Sequence, residues 1–304
     1  MASLDTFPPQ KPAFLKTRFG YGGGMQTIPF LKMHGLGNDF VMIDCRGKNA
    51  PKLTNTQIVH IADRRRGIGC DQLILLERPK SDRAGIFMRI YNPDGSEAGA
   101  CGNATRCIAD LYMGEEGVME CVVETVSGLL SCTRAENWQI CVDMGLPGIS
   151  WEKIPLSKEC DTLHLPLEGD PVGVSMGNPH CVYFCENALD VAVDKLGPKT
   201  EHDPLFPKRT NVEYVSIQGK DHLRMRVWER GAGITQACGT GACASAVAAV
   251  RRGLTGRKVR VTLDGGDLLI HWRESDDHVL MTGPAAYSFE GAITFHDDKD
   301  ERDE

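Results

Sequence analysis

The chain has 304 residues, a net charge of −7, and a composition that is 41% hydrophobic and 25% charged, which suits a soluble globular protein of two ordinary domains or one large one. That charge, with no basic stripe, argues against a nucleic-acid surface, because phosphate binding needs clustered Lys and Arg. No run of about 18 apolar residues is present, so no membrane-spanning helix is expected.

The twelve cysteines fit a reduced, cytosolic chain better than a disulfide framework, since a chain of this length without an export signal needs no staples. No Cys-x-x-Cys pair occurs, and neither a structural zinc nor another metal is expected.

In chain order, residues 1–24 read as a flexible leader, with Pro8, Pro9, Pro12 and the run Gly22-Gly23-Gly24 and no secretory apolar core. "GLGNDFVMID" follows, with Gly37-Asn38 ahead of an apolar run. Arg64-Arg65-Arg66 reads as a solvated helix end, and "CDQLILLE" with Gln72 as a strand. From Met88 the chain reads "MRIYNPDGSEAGACGNATRC", a turn signal and then Cys101. A helix is expected to open at Cys101-Gly102 and to end near Gly114. "CVVETVSGLLSCTRAENWQICVDMG" then predicts a strand, a Ser-Gly turn, a second strand, a polar turn and a third strand.

"SMGNPHCVYF" carries Gly177-Asn178 and His180, and "TNVEYVSI" carries Asn211. "MRVWERGAGITQACGTGACA" begins at Met225 and leads to a helix from Cys238-Gly239 to near Gly253. Three more strands are expected in "VRVTLDGGDLLIHWRESDDHVLMTG". "YSFEGAITF", from Tyr287, reads as a last strand, and 298–304 as a charged tail.

This order is a repeat. Met88 precedes Cys101 by 13 residues, Met225 precedes Cys238 by 13, and both cysteines begin an Ala-Cys-Gly helix start followed by the same strands. The expected organisation is a first α+β domain over 25–146 plus 284–297, closed by the last strand, and a second over 147–283, the two related by a pseudo-twofold axis.

A cysteine at a helix N-terminus sits among free N–H groups and the positive end of the helix dipole, which should lower its pKa and give a usable thiolate. The same N–H groups can hold a carboxylate. Two such cysteines on opposite sides of one ligand could invert a carbon next to that carboxylate, one taking a proton and the other giving one, without a cofactor. The repeat breaks where Asn92-Pro93 aligns with Glu229-Arg230. There Glu229 can pair with an ammonium or tune a cysteine, and Arg230 can grip a second carboxylate. His180 is a further candidate for shifting a cysteine pKa. Cys107 and Cys243 should pack inward, and Cys121, Cys132 and Cys141 should lie in strands.

Taken together, "HGLGNDF", "GCDQ", "YNPDGSEAGACGNATRC", "GNPH", "RTNVEYV", "WERGAGITQACGTGA" and "TGPA" resemble the diaminopimelate epimerase family, in order and over nearly the whole chain. The resemblance implies two similar α/β (α+β) domains, each a mixed barrel-like sheet around a central helix. It implies interconversion of LL- and meso-2,6-diaminopimelate without pyridoxal phosphate or metal, in lysine and peptidoglycan precursor synthesis. A cytoplasmic enzyme is expected, with a homodimer as one assembly open to it. Carried over by motif, Cys101 and Cys238 would be the acid/base pair. Asn38, Gln72, Asn92, Asn178, Asn211, Glu229 and Arg230 would bind substrate, with Gly102-Asn103 and Gly239-Thr240 holding a carboxylate. His180 and Glu229 would modulate the cysteines. The chain departs from the family pattern at Ala100, where Gln is frequent, and at Ala104-Thr105-Arg106. Two other readings stay open at this point: a proline-racemase-type enzyme on the same fold, and a ligand-binding or redox-sensing protein using the cysteines as a switch.

Overall fold

The computed structural model describes residues 21–22 and 25–296. The expected leader lies outside the described residues except at Tyr21–Gly22, which form a short strand, and the tail 298–304 lies outside them altogether. The chain divides into two compact units. The first takes the described residues through Gly35, Asp39–Ile140, and those from Pro284 onward; the second takes Leu36–Asn38 and Cys141–Gly283. The sequence repeat had put 36–38 in the first copy and its boundary at 146.

In the first unit, β1 (Tyr21–Gly22) pairs antiparallel with β2 (Met25–Gly35). β3 (Asn38–Asp44) runs parallel to β4 (Gln72–Glu77), and parallel neighbours need a crossover, supplied by α1 (Asn55–Ala62). The start of α1 is written in a capping box. The Thr54 hydroxyl accepts from the Gln57 N–H, and the Gln57 side chain accepts from the Thr54 N–H. β5 (Ile86–Tyr91) turns back along β4, and β6 (Glu97–Ala98) folds onto β5. α2 (Gly102–Glu116) then crosses to β7 (Glu120–Thr125), parallel to β5, which continues as a hairpin into β8 (Gly128–Arg134); the next strand, β9 (Ile140–Asp143), passes into the second unit from Cys141.

α2 packs against β2, β5, β7 and β8 and buries residues on nearly every side, from Gly102 through Ala109 to Leu111 and Met113. A helix wrapped in this way needs small or apolar side chains all round. It runs past Gly114 and stops at Gly117, where φ of +68° places the backbone in the left-handed region and the Gly117 N–H bonds the Met113 carbonyl. Gly114 is a helix-interior residue, and the stop needs left-handed backbone, which Gly117 supplies.

The second unit repeats this plan. Its elements are β10 (Val172–Ser175), β11 (Pro179–Phe184), α3 (Val193–Glu201), β12 (Asn211–Gly219), β13 (His222–Glu229), β14 (Gly233–Ile234), α4 (Gly239–Arg251), β15 (Lys258–Leu263), β16 (Gly266–Trp272) and β17 (Val279–Gly283). β11 is parallel to β12 and β13 to β15; the remaining pairs in this series are antiparallel. α4 is alanine-rich, with Ala242, Ala244, Ala246, Ala248 and Ala249 buried, so strands approach it closely on several sides. β18 (Ala286–His296) belongs to the first unit and pairs antiparallel with β2, from Ala286 opposite His34 to His296 opposite Met25.

The repeat is visible in strand register. Phe40 stands opposite Gln72 as His180 stands opposite Asn211. Leu73 faces Tyr91 as Val212 faces Trp228. The hairpins close at Thr125–Gly128 and at Leu263–Gly266. The protein is thus a sheet-dominated α+β fold of two similar units. Ile28, Val41, Ile43, Ile61 and Leu73 form part of one core; Ile154, Leu165, Cys181 and Phe206 form part of the other.

Candidate active site

In the first unit, Cys101 is the N-cap of α2, extended and half-buried. Its carbonyl accepts from both the N–H and the hydroxyl of Thr105, each at 2.9 Å. Gly102 and Asn103 form the buried first turn. Asn103 Oδ1 accepts from Arg106 Nη1 at 2.9 Å, and Arg106, fully buried, also donates Nε to the Pro284 carbonyl at 3.1 Å. A guanidinium under the helix start therefore fixes how the Asn103 amide points. Elsewhere in the unit, Gln72 Nε2 donates to Asn92 Oδ1 at 3.1 Å, and Asn92 Nδ2 donates to Ser96 Oγ at 3.1 Å. Gln72 Oε1 is buried without a hydrogen-bond partner, an acceptor ready for a ligand's donor.

In the second unit, Cys238 is the N-cap of α4, and its sulfur accepts from the Gly241 N–H at 3.4 Å. The Thr240 hydroxyl lies 3.6 Å from that sulfur and accepts from Asn178 Nδ2 at 3.3 Å. Asn178 Oδ1 lies 3.0 Å from His180 Nε2, and His180 Nδ1 lies 2.6 Å from Glu213 Oε1. Glu229 accepts from the Thr235 hydroxyl, and its carboxylate acts electrostatically on Cys238. Asn211 Nδ2 donates to the Pro179 carbonyl at 3.0 Å, while its Oδ1 receives the Arg230 N–H at 2.9 Å. Asn211 therefore shapes the turn that presents Arg230. The Arg230 side chain is exposed, donates to the Lys208 carbonyl at 3.0 Å, and lines a cavity of about 330 Å³ together with Asn178, Lys153 and Lys208. Three cations against one carboxylate, Glu152, in the same lining leave the cavity net positive, which suits an anionic group.

The sequence expectation of a lowered thiol pKa fails at Cys238. Burial pushes this thiol well above its ordinary value, and the Glu229 and Glu213 carboxylates push the same way; the Thr240 hydroxyl and the Gly241 N–H pull back less. Helix-end N–H groups are a modest influence beside removal from water. Cys238 is 4% exposed, so it counts among the core residues. Burial likewise raises the Glu229 carboxyl, with Thr235, Cys238 and His180 opposing.

The structure gathers Asn178, His180, Glu229, Gly239 and Thr240 around Cys238, and places Asn211 and Arg230 at the adjoining turn. In the first unit it joins Gly102 and Asn103 to Cys101, and Gln72 to Asn92. Asn38 opens β3, partly buried, and is grouped with the second unit. His180 reaches Cys238 only through Asn178 and Thr240. Among the described residues no three His, Cys, Asp or Glu side chains gather as a metal-binding group.

Sequence reasoning passed over three residues. Glu213 is fully buried on β12, and its signal was an acid inside the alternating apolar run "TNVEYVSI". Glu201, 2% exposed, accepts from Trp228 Nε1 at 2.7 Å and from the Gly231 N–H at 3.1 Å, holding the turn after Glu229. Arg106 was noted only as part of a motif departure, although an arginine on a helix of small apolar residues asks for a buried partner.

A family model described as "Diaminopimelate epimerase" matches residues 30–149 and 172–288. A diaminopimelate epimerase of Rhodospirillum centenum is 53% identical over 269 residues, covering 87% of this chain and 92% of the relative. That of Gluconobacter oxydans is 54% identical over 265 residues, covering 87% and 98%. Among solved structures, a hydroxyproline epimerase from Agrobacterium vitis superposes with a TM-score of 0.63 at 14% identity, covering 92% of this chain and 94% of that one. A Bacillus anthracis protein of the phenazine biosynthesis PhzF family gives 0.62 at 17%, covering 88% and 99%. At such identities these two bear on the fold alone.

Proposed function

We propose, given that this chain belongs to the diaminopimelate epimerase family, that Cys101 and Cys238 are the acid and base of an isomerase interconverting LL- and meso-2,6-diaminopimelate. One observation carries the assignment of the pair. Each cysteine is the N-cap of the buried helix of its own unit, at the matching place in the repeat. A lone thiol could exchange a proton on one face of a carbon; inversion needs a second group on the other face.

In this reading one sulfur takes the α-proton as a thiolate, and the opposite thiol returns a proton to the other face. Charge then develops on the α-carboxylate, where the N–H groups of Gly102-Asn103 and Gly239-Thr240 stabilise it. Cys238, raised by burial and two carboxylates, holds its proton at neutral pH. Gln72, Asn92, Asn38 and Asn178 supply polar contacts to the substrate, and Glu229 and Arg230 face its charged groups. The substrate is a small molecule; no cofactor enters the scheme. The described residues include no helix long and apolar enough to cross a membrane. A cytoplasmic homodimer completes the reading, with size-exclusion mass as its check.

The test is proton NMR of reduced protein with LL-diaminopimelate in D2O. Loss of one α-proton signal with growth of the meso isomer is expected. Cys101→Ala and Cys238→Ala should each lower that rate by at least about 10³-fold, within the span of general acid–base contributions. Substantial racemisation by either variant refutes the two-base scheme. Turnover of proline or hydroxyproline without turnover of diaminopimelate would move the substrate assignment to the proline-racemase type.

A further inference from the structure

The two units differ in what lies behind their equivalent strands. In the first, the register positions are filled by Phe40 on β3 and Ile74 on β4, both fully buried and apolar. In the second, the same positions carry His180 on β11 and Glu213 on β12, both with no exposed surface. The fold therefore does not require a histidine and an acid there, because its own first copy manages with a hydrophobic pair. Burying two titratable groups costs free energy that hydrophobic residues of similar size would not.

The hydrogen-bond geometry says what the pair does. A carboxylate oxygen at 2.6 Å and an amide oxygen at 3.0 Å flank the ring of His180. The ring is thus held at both nitrogens, by the acid on one side and the amide on the other. Asn178 has its oxygen turned to the ring, so its Nδ2 is committed to Thr240 Oγ1 at 3.3 Å, the hydroxyl 3.6 Å from the Cys238 sulfur. Glu213 also leaves its second oxygen, Oε2, buried without a hydrogen-bond partner. A carboxylate kept with half its capacity unfilled is poorly explained by stability. Gly241 gives it room. A Cβ at that position would lie 2.8 Å from Glu213 Oε1 and 3.2 Å from the Cys238 sulfur.

We propose that Glu213 is a positioning residue for the Cys238 half of the reaction: it fixes the His180 ring and, through Asn178, orients the Thr240 hydroxyl at the sulfur. The chain is one of hydrogen-bonded neighbours, so each group's orientation follows from the one behind it. Without the acid, the ring loses its partner at Nδ1 and can turn. The Asn178 amide then has reason to turn over, and Thr240 loses its N–H donor. The catalytic part of this proposal rests on the epimerase reading above; the Glu213–His180 hydrogen bond does not.

The test compares Glu213→Gln with the wild type in three measurements. In ¹H–¹⁵N spectra without substrate, the wild-type His180 Nδ1–H should give a strongly downfield proton signal from its short bond to the acid, and the variant should lose it or shift it upfield. With diaminopimelate, kcat should fall roughly 10²-fold, the scale for a catalytic group displaced by about 1 Å, while KM stays within about threefold. Melting should show the variant folded. A ring proton signal unchanged in the variant, an unchanged kcat, or a loss confined to KM would each overturn the proposal. If Glu213→Gln does not fold, the double replacement His180→Phe with Glu213→Ile installs the pair the first unit already uses. It should fold and show the same loss of kcat, and a wild-type kcat in it overturns the proposal. If the wild type itself does not epimerise diaminopimelate, the epimerase reading fails, and the ring spectrum still decides the Glu213–His180 bond.

Discussion

Replacing Gly241 with alanine sets two effects of known sign against each other. Gly241 lies in the first turn of α4, where alanine is the better helix former by about 1 kcal/mol. The new methyl would lie 2.8 Å from Glu213 Oε1, 3.2 Å from the Cys238 sulfur and 3.4 Å from its Cβ. Glu213 sits at the end of a flexible side chain, yet it is fully buried and held at 2.6 Å by His180, so it cannot swing away cheaply. Overpacking of this kind costs about 1–3 kcal/mol, which exceeds the propensity gain and leaves a net loss of about 1 kcal/mol. For a chain of this size the melting temperature should drop by roughly 2–4 °C. Activity should suffer more than stability, because the methyl displaces the sulfur and the carboxylate together; a fall of about 10²-fold in kcat is expected. The same position in α2 is already Ala104, so its replacement by glycine serves as the control and should cost stability without repeating the loss at Cys238. Thermal melting and α-proton exchange in D2O read both quantities. A Gly241→Ala protein that melts higher than the wild type and turns over within twofold of it would refute the packing argument.

Arg106→Ala should be the most destabilising change near Cys101. It removes the donor to the Asn103 amide and the Pro284 carbonyl and empties the space of a fully buried side chain, at a cost of about 2–5 kcal/mol readable by denaturant titration. Stability should also decline in alkali. Burial raises Cys70 to about 11, Cys45 and Cys107 to about 12, and Cys181 and Cys238 well above their ordinary value near 9. Below pH 9 these thiols are protonated in both folded and unfolded chains and have no effect. Above it the unfolded chain releases protons that the folded chain keeps, so each withdraws about 1.4 kcal/mol by pH 10. Denaturation midpoints at pH 8 and pH 10, under reducing conditions, check this; an equal midpoint at both would contradict it.

Much of this architecture could be read from the residues because the chain states it twice. The Ala-Cys-Gly helix starts, the hairpin glycines and the strand order recur, and repetition separates signal from chance. The length of α2 was missed because Gly114 and Gly117 both look like stops, and only the backbone shows which one turns left-handed. The electrostatics of Cys238 were missed for a different reason. A helix N-terminus is a local feature and can be seen in a short motif. Desolvation and the nearness of Glu213 depend on strands that come together across the sheet, and no spacing rule reports them. Glu213 itself was visible as a charge in an apolar strand, but its meaning depends on His180, which stands two rungs from it across the parallel pair.

The pairing of β2 with β18 ties the beginning of the described chain to its end, from Met25 opposite His296 to His34 opposite Ala286. The second unit is almost wholly one continuous stretch, Cys141–Gly283, lying between the two parts of the first. During synthesis that stretch can emerge and fold while β2 still waits for its neighbour. The N-terminal unit is therefore completed after the second, and its β2 edge stays unpaired on the β18 side until β18 has been made. Unpaired edges of this kind invite misassociation. Loss of β18 would leave the N-terminal unit open, although all its own catalytic motifs precede that strand in the chain.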